Sequence, residues 1–108
     1  MSRKFTVKWA DPASHDLIEI ADFIALDDLA TAKKVISLIN DKVLSLQLTP
    51  QRGRIVPELA IHGIVSFREL IVSPWRIIYK VDETVVYIEL VVDGRRDLED
   101  LLFRRVMR

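Results

Sequence analysis

The sequence predicts an α+β fold, with the order β-α-α-β-β-β-β-α, in which a helical hairpin packs on a small antiparallel β-sheet and a short C-terminal helix follows. Apolar residues recur at helical spacing in two stretches between residues 12 and 48, as in amphipathic helices. Residues 66–92 contain three runs of β-branched and aromatic residues, joined by connections of two and three residues. Connections this short join only antiparallel strands.

The N-terminal half supplies the first strand and the helical hairpin. Residues 4–9 alternate apolar and polar side chains, which is the period of a half-buried strand. Asp11-Pro12 offers a favourable N-cap and first helical position for a helix over about residues 12–26. Asp27-Asp28 interrupts this pattern, and the second helix that follows ends at about residue 48. The short connection predicts that the two helices are antiparallel.

Several apolar residues of these helices, among them the three residues Ile18, Phe23 and Leu38, fall outside the main apolar stripes. A helix that packs on one side needs only one such stripe. The three side chains therefore form either a second buried face or a surface that binds a partner.

The C-terminal half supplies the remaining strands and the last helix. A short strand is expected at 54–57, followed by the three meander strands at 66–72, 75–81 and 85–92. Asp97 is placed to cap the final helix, whose last turn is rich in arginine, a cation favoured at a helix C-terminus.

Strict alternation along these strands predicts which side chains share a face. Val86, Ile88, Leu90 and Val92 would all face the core from the last strand. The opposite face of the sheet is expected to stay partly open, lined by Arg76 and Lys80. The face of Arg68 stays undetermined, because a slip of one residue in register inverts a strand.

Composition limits the classes of function. The chain has 108 residues, which suits one domain over residues 1–108. Lys+Arg and Asp+Glu are 16 each and the pI is about 6.7, whereas domains that wrap nucleic acid are usually strongly basic. The chain alone is therefore not expected to bind DNA directly.

The sequence also predicts the cellular location of the chain and the absence of a metal or cofactor. There is no cysteine, so no disulfide framework or thiolate metal site is expected. We expect no metal and no cofactor. No apolar run approaches the roughly 20 residues of a membrane span, and the N-terminus lacks the features of a signal peptide. A cytoplasmic location without membrane association is therefore expected.

Motifs for most enzymatic chemistry are missing from the sequence. There is no glycine-rich phosphate loop and no nucleophile elbow. His62 has no carboxylate at useful spacing, and His15 lies on the polar side of the first helix. The remaining candidates for catalysis are arginines, Tyr79, Tyr87 and a single histidine or aspartate. This set is enough for RNA cleavage, in which the protein orients the 2′-hydroxyl and stabilises charge on the phosphate.

Five short motifs appear in order along the chain: DLIEI at 16–20, GRIVPEL at 53–59, RELI at 68–71, WRIIY at 75–79 and DGRRDL at 93–98. Together they resemble the RelE/ParE toxins of bacterial type II toxin–antitoxin modules, also called plasmid stabilisation modules. The resemblance implies the helical hairpin on a small antiparallel sheet. It also implies growth inhibition that a small cognate antitoxin neutralises, and Ile18, Phe23 and Leu38 are the residues expected to bind that antitoxin.

Departures from the family pattern bear on the mechanism. RelE-like members cleave mRNA on the ribosome, and this chain has Ile71, Asp93 and Leu101 where such members carry an arginine, a histidine and a tyrosine. Arg76 and Arg95 persist. ParE-like members lack the catalytic groups and inhibit DNA gyrase by binding, and the GRIVPEL motif resembles that branch.

Three hypotheses follow from the resemblance, and binding is favoured over catalysis. The first is a ParE-like toxin that binds DNA gyrase through Arg68, Arg76, Arg95 and Arg96. The second is a ribosome-dependent mRNA endonuclease that uses Arg54, Arg68, Arg76 and Arg95. The third is an inactive binding module with the toxin fold, in which the arginines are solvated or paired with Glu69, Asp93 and Asp97.

Overall fold

A computed structural model of the chain describes residues 4–106, which form five strands and four α-helices. The predicted α+β class is confirmed. No helix in this range is long and apolar enough to cross a membrane. The elements in chain order are β1 (Thr6–Trp9), α1 (Asp11–Ala25), α2 (Leu29–Leu44) with a 3₁₀ turn (Ser45–Gln47), β2 (Arg54–Ile55), α3 (Pro57–Ala60), β3 (Phe67–Val72), β4 (Trp75–Asp82), β5 (Val85–Asp93) and α4 (Glu99–Val106).

The strands form one sheet in the order β1-β5-β4-β3-β2. The meander β3-β4-β5 and the pairing of β2 with β3 are antiparallel, as predicted, but β1 runs parallel to β5. The sheet is therefore mixed, and the prediction of an antiparallel sheet was wrong for β1. Short turns dictate direction only within the meander, whereas β1 is separated from β2 by the whole helical hairpin, which imposes no antiparallel direction.

The helical hairpin begins and ends close to the predicted residues. Asp28 caps α2, because its carboxylate oxygen Oδ1 accepts hydrogen bonds from the amides of Ala30 at 3.0 Å and Thr31 at 3.4 Å. Asp11, the predicted cap of α1, is instead its first residue, and the residue before it makes no side-chain cap. An acidic residue in the first turn still interacts favourably with the helix dipole.

Two hydrophobic cores lie on opposite faces of the sheet. The first lies between the hairpin and the sheet and includes Ile20, Ile39, Ile77, Tyr79 and Ile88. The second lies beneath α3 and α4 and is formed by Val56, Leu59, Phe67, Ile78, Leu90, Val92, Leu98 and Leu102. The prediction that this second face stays partly open was wrong, because α3 was not anticipated. Pro57 begins that helix instead of ending a strand.

An irregularity in β5 reverses its alternation. Tyr79 pairs with Ile88 while the preceding residue of β4 pairs with Leu90, so Glu89 is an extra residue on β5. Such a β-bulge shifts the following side chains to the other face. Val86 and Ile88 therefore pack in the first core, whereas Leu90 and Val92 pack in the second. The prediction that all four share one face was wrong.

Candidate functional site

A buried ion-pair network joins α3, β2, β3 and β4. The guanidinium of Arg76 donates from Nε to Glu69 Oε1 at 2.5 Å and from Nη2 to Glu69 Oε2 at 3.0 Å. It also donates from Nη1 and Nη2 to the two oxygens of Glu58, at 2.6 and 2.7 Å. The Glu69 side chain is fully buried and that of Arg76 is 9% exposed. Bidentate pairs of this kind are among the strongest hydrogen-bonded contacts in proteins.

Arg54 completes the network from the edge of the sheet. Its Nε donates to Glu69 Oε2 at 2.6 Å, and its side chain is 61% exposed. Arg54 and Arg76 supply two positive charges, and Glu58 and Glu69 supply two negative charges. The network is therefore neutral, as a buried cluster must be to avoid a large desolvation penalty.

The network shifts the titration of its members. The hydrogen bonds from Arg76 hold the pKa of Glu58 below its ordinary value of 4.5. In return, the Glu58 carboxylate above all raises the pKa of Arg76, and burial acts against that rise. Glu58 is consequently ionised at neutral pH, and it fastens α3 to the sheet.

The lowered pKa of Glu58 predicts that part of the stability of the fold is lost in acid. Because its folded-state pKa is lowered, its stabilisation is fully present above pH 4.5 and is lost as the pH falls through the lower folded-state pKa. Glu58→Gln should therefore be less stable than the parent at neutral pH, and the difference should shrink towards acid. Urea unfolding at a series of pH values measures it. A constant difference at every pH would contradict the role assigned to the ionised carboxylate.

Arg95 is hydrogen-bonded to Asp93, two residues before it in the sequence. Its Nε and Nη2 donate to the two oxygens of Asp93 at 3.0 and 2.7 Å. These bonds lower the pKa of Asp93 to about 2, so this carboxyl is ionised under ordinary conditions. Arg96 follows on the surface and lines a groove between α1 and β5.

Two glycines of the motifs are required by close contacts. A Cβ at Gly53 would lie 2.6 Å from the Tyr79 hydroxyl oxygen and 2.6 Å from the carbonyl oxygen of Glu69. A Cβ at Gly94 would lie 2.9 Å from Cδ of Arg76. Real Cβ atoms do not make contacts this short, so larger residues at either position would displace Tyr79 or Arg76.

Arg68 lies on the face opposite the network, which answers the question of register. It pairs in β3 with Tyr79 of β4, and its Nη1 donates to the carbonyl oxygens of Gly53 at 2.8 Å and Gln51 at 3.4 Å. Among the residues that the structure describes, no carboxylate pairs with Arg68. It differs in this respect from Arg54, Arg76 and Arg95.

Several pairs were missed by the sequence interpretation. Asp16 accepts from the Val91 amide at 3.0 Å, just after the bulge, and from Arg105 Nη2 at 2.9 Å. It thereby ties α1, β5 and α4 together. His62, interpreted as isolated, lies 2.8 Å from Glu99 of α4. Asp16 and Arg105 are 89 residues apart in sequence, so no local spacing could have revealed the pair.

The predicted antitoxin-binding residues all lie at the surface. Ile18, Phe23 and Leu38 are 59%, 72% and 48% exposed. Phe23 lines the groove between α1 and β5 with Trp75, whereas Ile18 and Leu38 lie outside that groove. Exposed apolar side chains that cluster with a groove are typical of interaction sites, so the antitoxin surface stays a prediction with Phe23 at its centre.

Ile71 and Leu101, at positions where RelE-like members carry an arginine and a tyrosine, offer no group for proton transfer. Ile71 is 41% exposed and Leu101 lines the groove beside Phe23, and both are apolar. In the described range of 4–106, no group of three His, Cys, Asp or Glu residues could hold a metal ion. The site is therefore a set of arginines, most of which already have carboxylate partners.

Three solved structures with a similar fold are of a toxin or of a toxin–antitoxin system. The chromosomal ParDE system of P. aeruginosa matches with a TM-score of 0.68 and 23% identity, over 85% of this chain and 98% of that chain. The RelBE2 toxin–antitoxin complex of Mycobacterium tuberculosis matches with a TM-score of 0.62 and 17% identity, over 83% of this chain and 91% of that chain. An arginine-to-alanine double mutant of E. coli RelE in the free state matches with a TM-score of 0.65 and 14% identity, over 97% of each chain. The fold is thus of the RelE/ParE class.

The model of the ParE toxin of the type II toxin–antitoxin system parDE matches residues 7–98. The chain therefore belongs to the ParE toxin family, the toxin component of type II modules. No curated protein matches the chain. The resemblance to RelE/ParE toxins, closer to the ParE-like branch, is confirmed.

Proposed function

We propose that this toxin inhibits growth by binding DNA gyrase, without cleaving RNA, and that a small cognate antitoxin neutralises it. The observation that carries the proposal is the pairing of the arginines. Arg54, Arg76 and Arg95, three of the four that an RNA-cleaving site would use, are each bonded to a carboxylate of the chain.

Catalysis would require a phosphate to displace these carboxylates. A phosphate that took Arg76 from Glu69 would leave a fully buried carboxylate short of a partner, which is strongly unfavourable. A phosphate at Arg95 would meet the charge of Asp93, which lies within hydrogen-bonding distance of the same guanidinium. Phosphate binding at these arginines is therefore opposed by the chain's own anions.

Proton transfer is opposed as well. RNA cleavage needs a group that protonates the leaving oxygen. Ile71 and Leu101 carry no such group, and Asp93, with its pKa lowered to about 2, has no proton to give near neutral pH. These features favour inhibition by binding, in which arginines serve as contacts and positioning groups and not as catalysts.

The test measures both activities of the toxin, one with purified protein and one in cells that express it. Purified toxin should block supercoiling by DNA gyrase, and induction of the toxin should slow growth without new mRNA 5′ ends at the ribosomal A site. A-site cleavage with unaffected supercoiling would replace the proposal with the mRNA endonuclease hypothesis. Normal growth on induction would instead favour the inactive binding module.

The antitoxin part of the proposal is supported by the neighbours and by the surface. Two of the solved structures with this fold are of a ParDE toxin–antitoxin system and a RelBE2 toxin–antitoxin complex. The exposed apolar residues Ile18, Phe23 and Leu38 offer this chain a surface for such a partner.

A further inference from the structure

A small pocket opens at the end of β3 and β4, beside the loop that precedes β2. It has a volume of about 200 Å³, and Arg68 and Lys80 are the charged residues that line it. The Lys80 ammonium lies 6.0 Å from the centre of the Phe67 ring, which packs in the second core on the other face of the sheet, so Arg68 supplies the charge of the pocket. Among residues 4–106, no acidic residue lines it. By contrast, the groove between α1 and β5 is lined by Asp16, Glu19 and Asp93, and the groove along the helical hairpin by Asp22 and Asp41. The pocket at Arg68 therefore differs from these grooves in being purely cationic.

The guanidinium of Arg68 is held in place with one edge free. Its Nη1 is bonded to the carbonyl oxygens of Gln51 and Gly53. Within the described part of the chain, nothing accepts a hydrogen bond from its Nε or Nη2. These two groups form the planar fork that binds an oxyanion through two parallel hydrogen bonds.

Tyr79 fixes the loop that holds Arg68. The fully buried Tyr79 lines the same pocket, and its hydroxyl oxygen accepts a hydrogen bond from the Gly53 amide at 2.9 Å. The Gly53 carbonyl in turn accepts from Arg68. The buried phenol thus positions the guanidinium through one residue of the loop. Because the arginine is already ordered, less conformational entropy is lost when it binds an anion.

The surroundings of Tyr79 are electropositive. Burial raises the pKa of its hydroxyl, while the Gly53 amide and the charges of Arg68 and Arg52 act in the opposite direction. Arg52 is exposed and donates to the Ser45 hydroxyl at 2.7 Å, a partner without charge. Two cations thus lie near the pocket without a carboxylate partner among residues 4–106.

We propose that this pocket binds the carboxylate of an acidic side chain on the protein that the toxin inhibits. The Nε and Nη2 groups of Arg68 would hold the two oxygens. Val65 and Val81 also line the pocket and supply apolar walls for the methylene groups of an aspartate or glutamate. This inference rests on the proposed function, because it assigns one contact of the inhibitory interface.

A carboxylate fits better than a nucleic-acid phosphate. The chain has no net charge, whereas proteins that bind nucleic acid through phosphates collect many cations on one surface. One guanidinium fork in a pocket that Val65 and Val81 also line is instead suited to a single acidic side chain. Specific bidentate recognition of this kind requires arginine and is not reproduced by the point charge of lysine.

A titration with small probes tests the pocket without any partner. The Nε–Hε resonance of Arg68 is followed by NMR on the whole chain as N-acetyl-glutamate N-methylamide is added, with N-acetyl-glutamine N-methylamide as the neutral control. We expect a saturable shift with the glutamate probe and none with the glutamine probe. No saturable shift, or equal shifts with both probes, would overturn the assignment, and tighter binding of inorganic phosphate would replace carboxylate by phosphate.

A second experiment tests whether the target uses the pocket. Arg68→Lys should raise the toxin concentration needed for half-inhibition of gyrase supercoiling by at least about tenfold, with thermal unfolding close to the parent. Arg104→Lys, at an exposed position of α4, is the matched control and should inhibit like the parent. Inhibition by Arg68→Lys equal to the parent would overturn the inference. If the parent itself fails to inhibit gyrase, the proposed function fails, and the probe titration still decides whether the pocket binds a carboxylate.

Discussion

Arg76→Met should lower the free energy of unfolding by about 3 kcal/mol or more, because removal of one partner from a buried ion pair leaves an uncompensated charge. Glu69 would keep only its bond to Arg54, and Glu58 would lose both of its bonds to the guanidinium. Methionine retains an unbranched stem that can still pack against Gly94. The measured change therefore reports the lost charge more than a cavity. Urea denaturation at neutral pH measures it.

Arg95→Met provides the matched control for that experiment. It removes the same group from an ion pair whose arginine is 74% exposed, and exposed pairs contribute little to stability. Its midpoint of unfolding should stay close to that of the parent. Adding Glu69→Gln to Arg76→Met should recover part of the loss, since an amide replaces the stranded carboxylate. An Arg76→Met midpoint equal to that of Arg95→Met would show that the network does not stabilise the fold.

Elements with a clear period or a short connection were predictable from the sequence. The hairpin followed from apolar spacing, and the meander followed from turns too short to allow any direction but antiparallel. The direction of β1 and the bulge at Glu89 were not predictable in this way. The partner of β1 is far away in the sequence, with Thr6 opposite Val85. An extra residue leaves no clear trace in β5, where apolar residues occupy positions on both faces.

The site was less predictable than the fold, because its members come from separate segments. Four of the five motifs that carry the family resemblance meet in the structure. Glu58 belongs to the second, Glu69 to the third, Arg76 to the fourth and Gly94 to the last. Periodicity placed Arg76 on the face opposite Tyr79 but assigned that face to solvent. Without α3 there was no reason to expect Glu58 above it.

Because the motifs meet in one network, the arginines within them differ in how readily they can contact a target. Arg76, expected to contact the target, makes all four of its described side-chain hydrogen bonds to Glu58 and Glu69. Its predicted role in target binding stays a prediction, and contact with a target would require those bonds to break. Arg68 needs no such rearrangement. Arg68 is thus more available than Arg76 for binding a target, although its orientation could not be determined from the sequence.

Phe23→Asp should weaken the complex with the cognate antitoxin by at least about 2 kcal/mol, or roughly thirtyfold in Kd, which is typical for loss of an aromatic anchor. Phe23 is 72% exposed, so an aspartate there remains in water in the free toxin and should leave its stability nearly unchanged. In a complex, the same carboxylate would be buried against an apolar partner beside Trp75 and Leu101. Calorimetric titration with the antitoxin measures the loss.

Ile61→Asp supplies the matched control, because Ile61 is 81% exposed and lies after α3, away from the residues that line the groove of Phe23. It introduces the same charge at a similarly exposed apolar position and should bind the antitoxin like the parent. Equal losses in both variants would mean that added charge, and not the groove, weakens the complex. Unfolding of Phe23→Asp would mean that the side chain supports the core. Parent-like binding by a folded Phe23→Asp would place the antitoxin elsewhere, with Ile18 and Leu38 as the next positions to substitute.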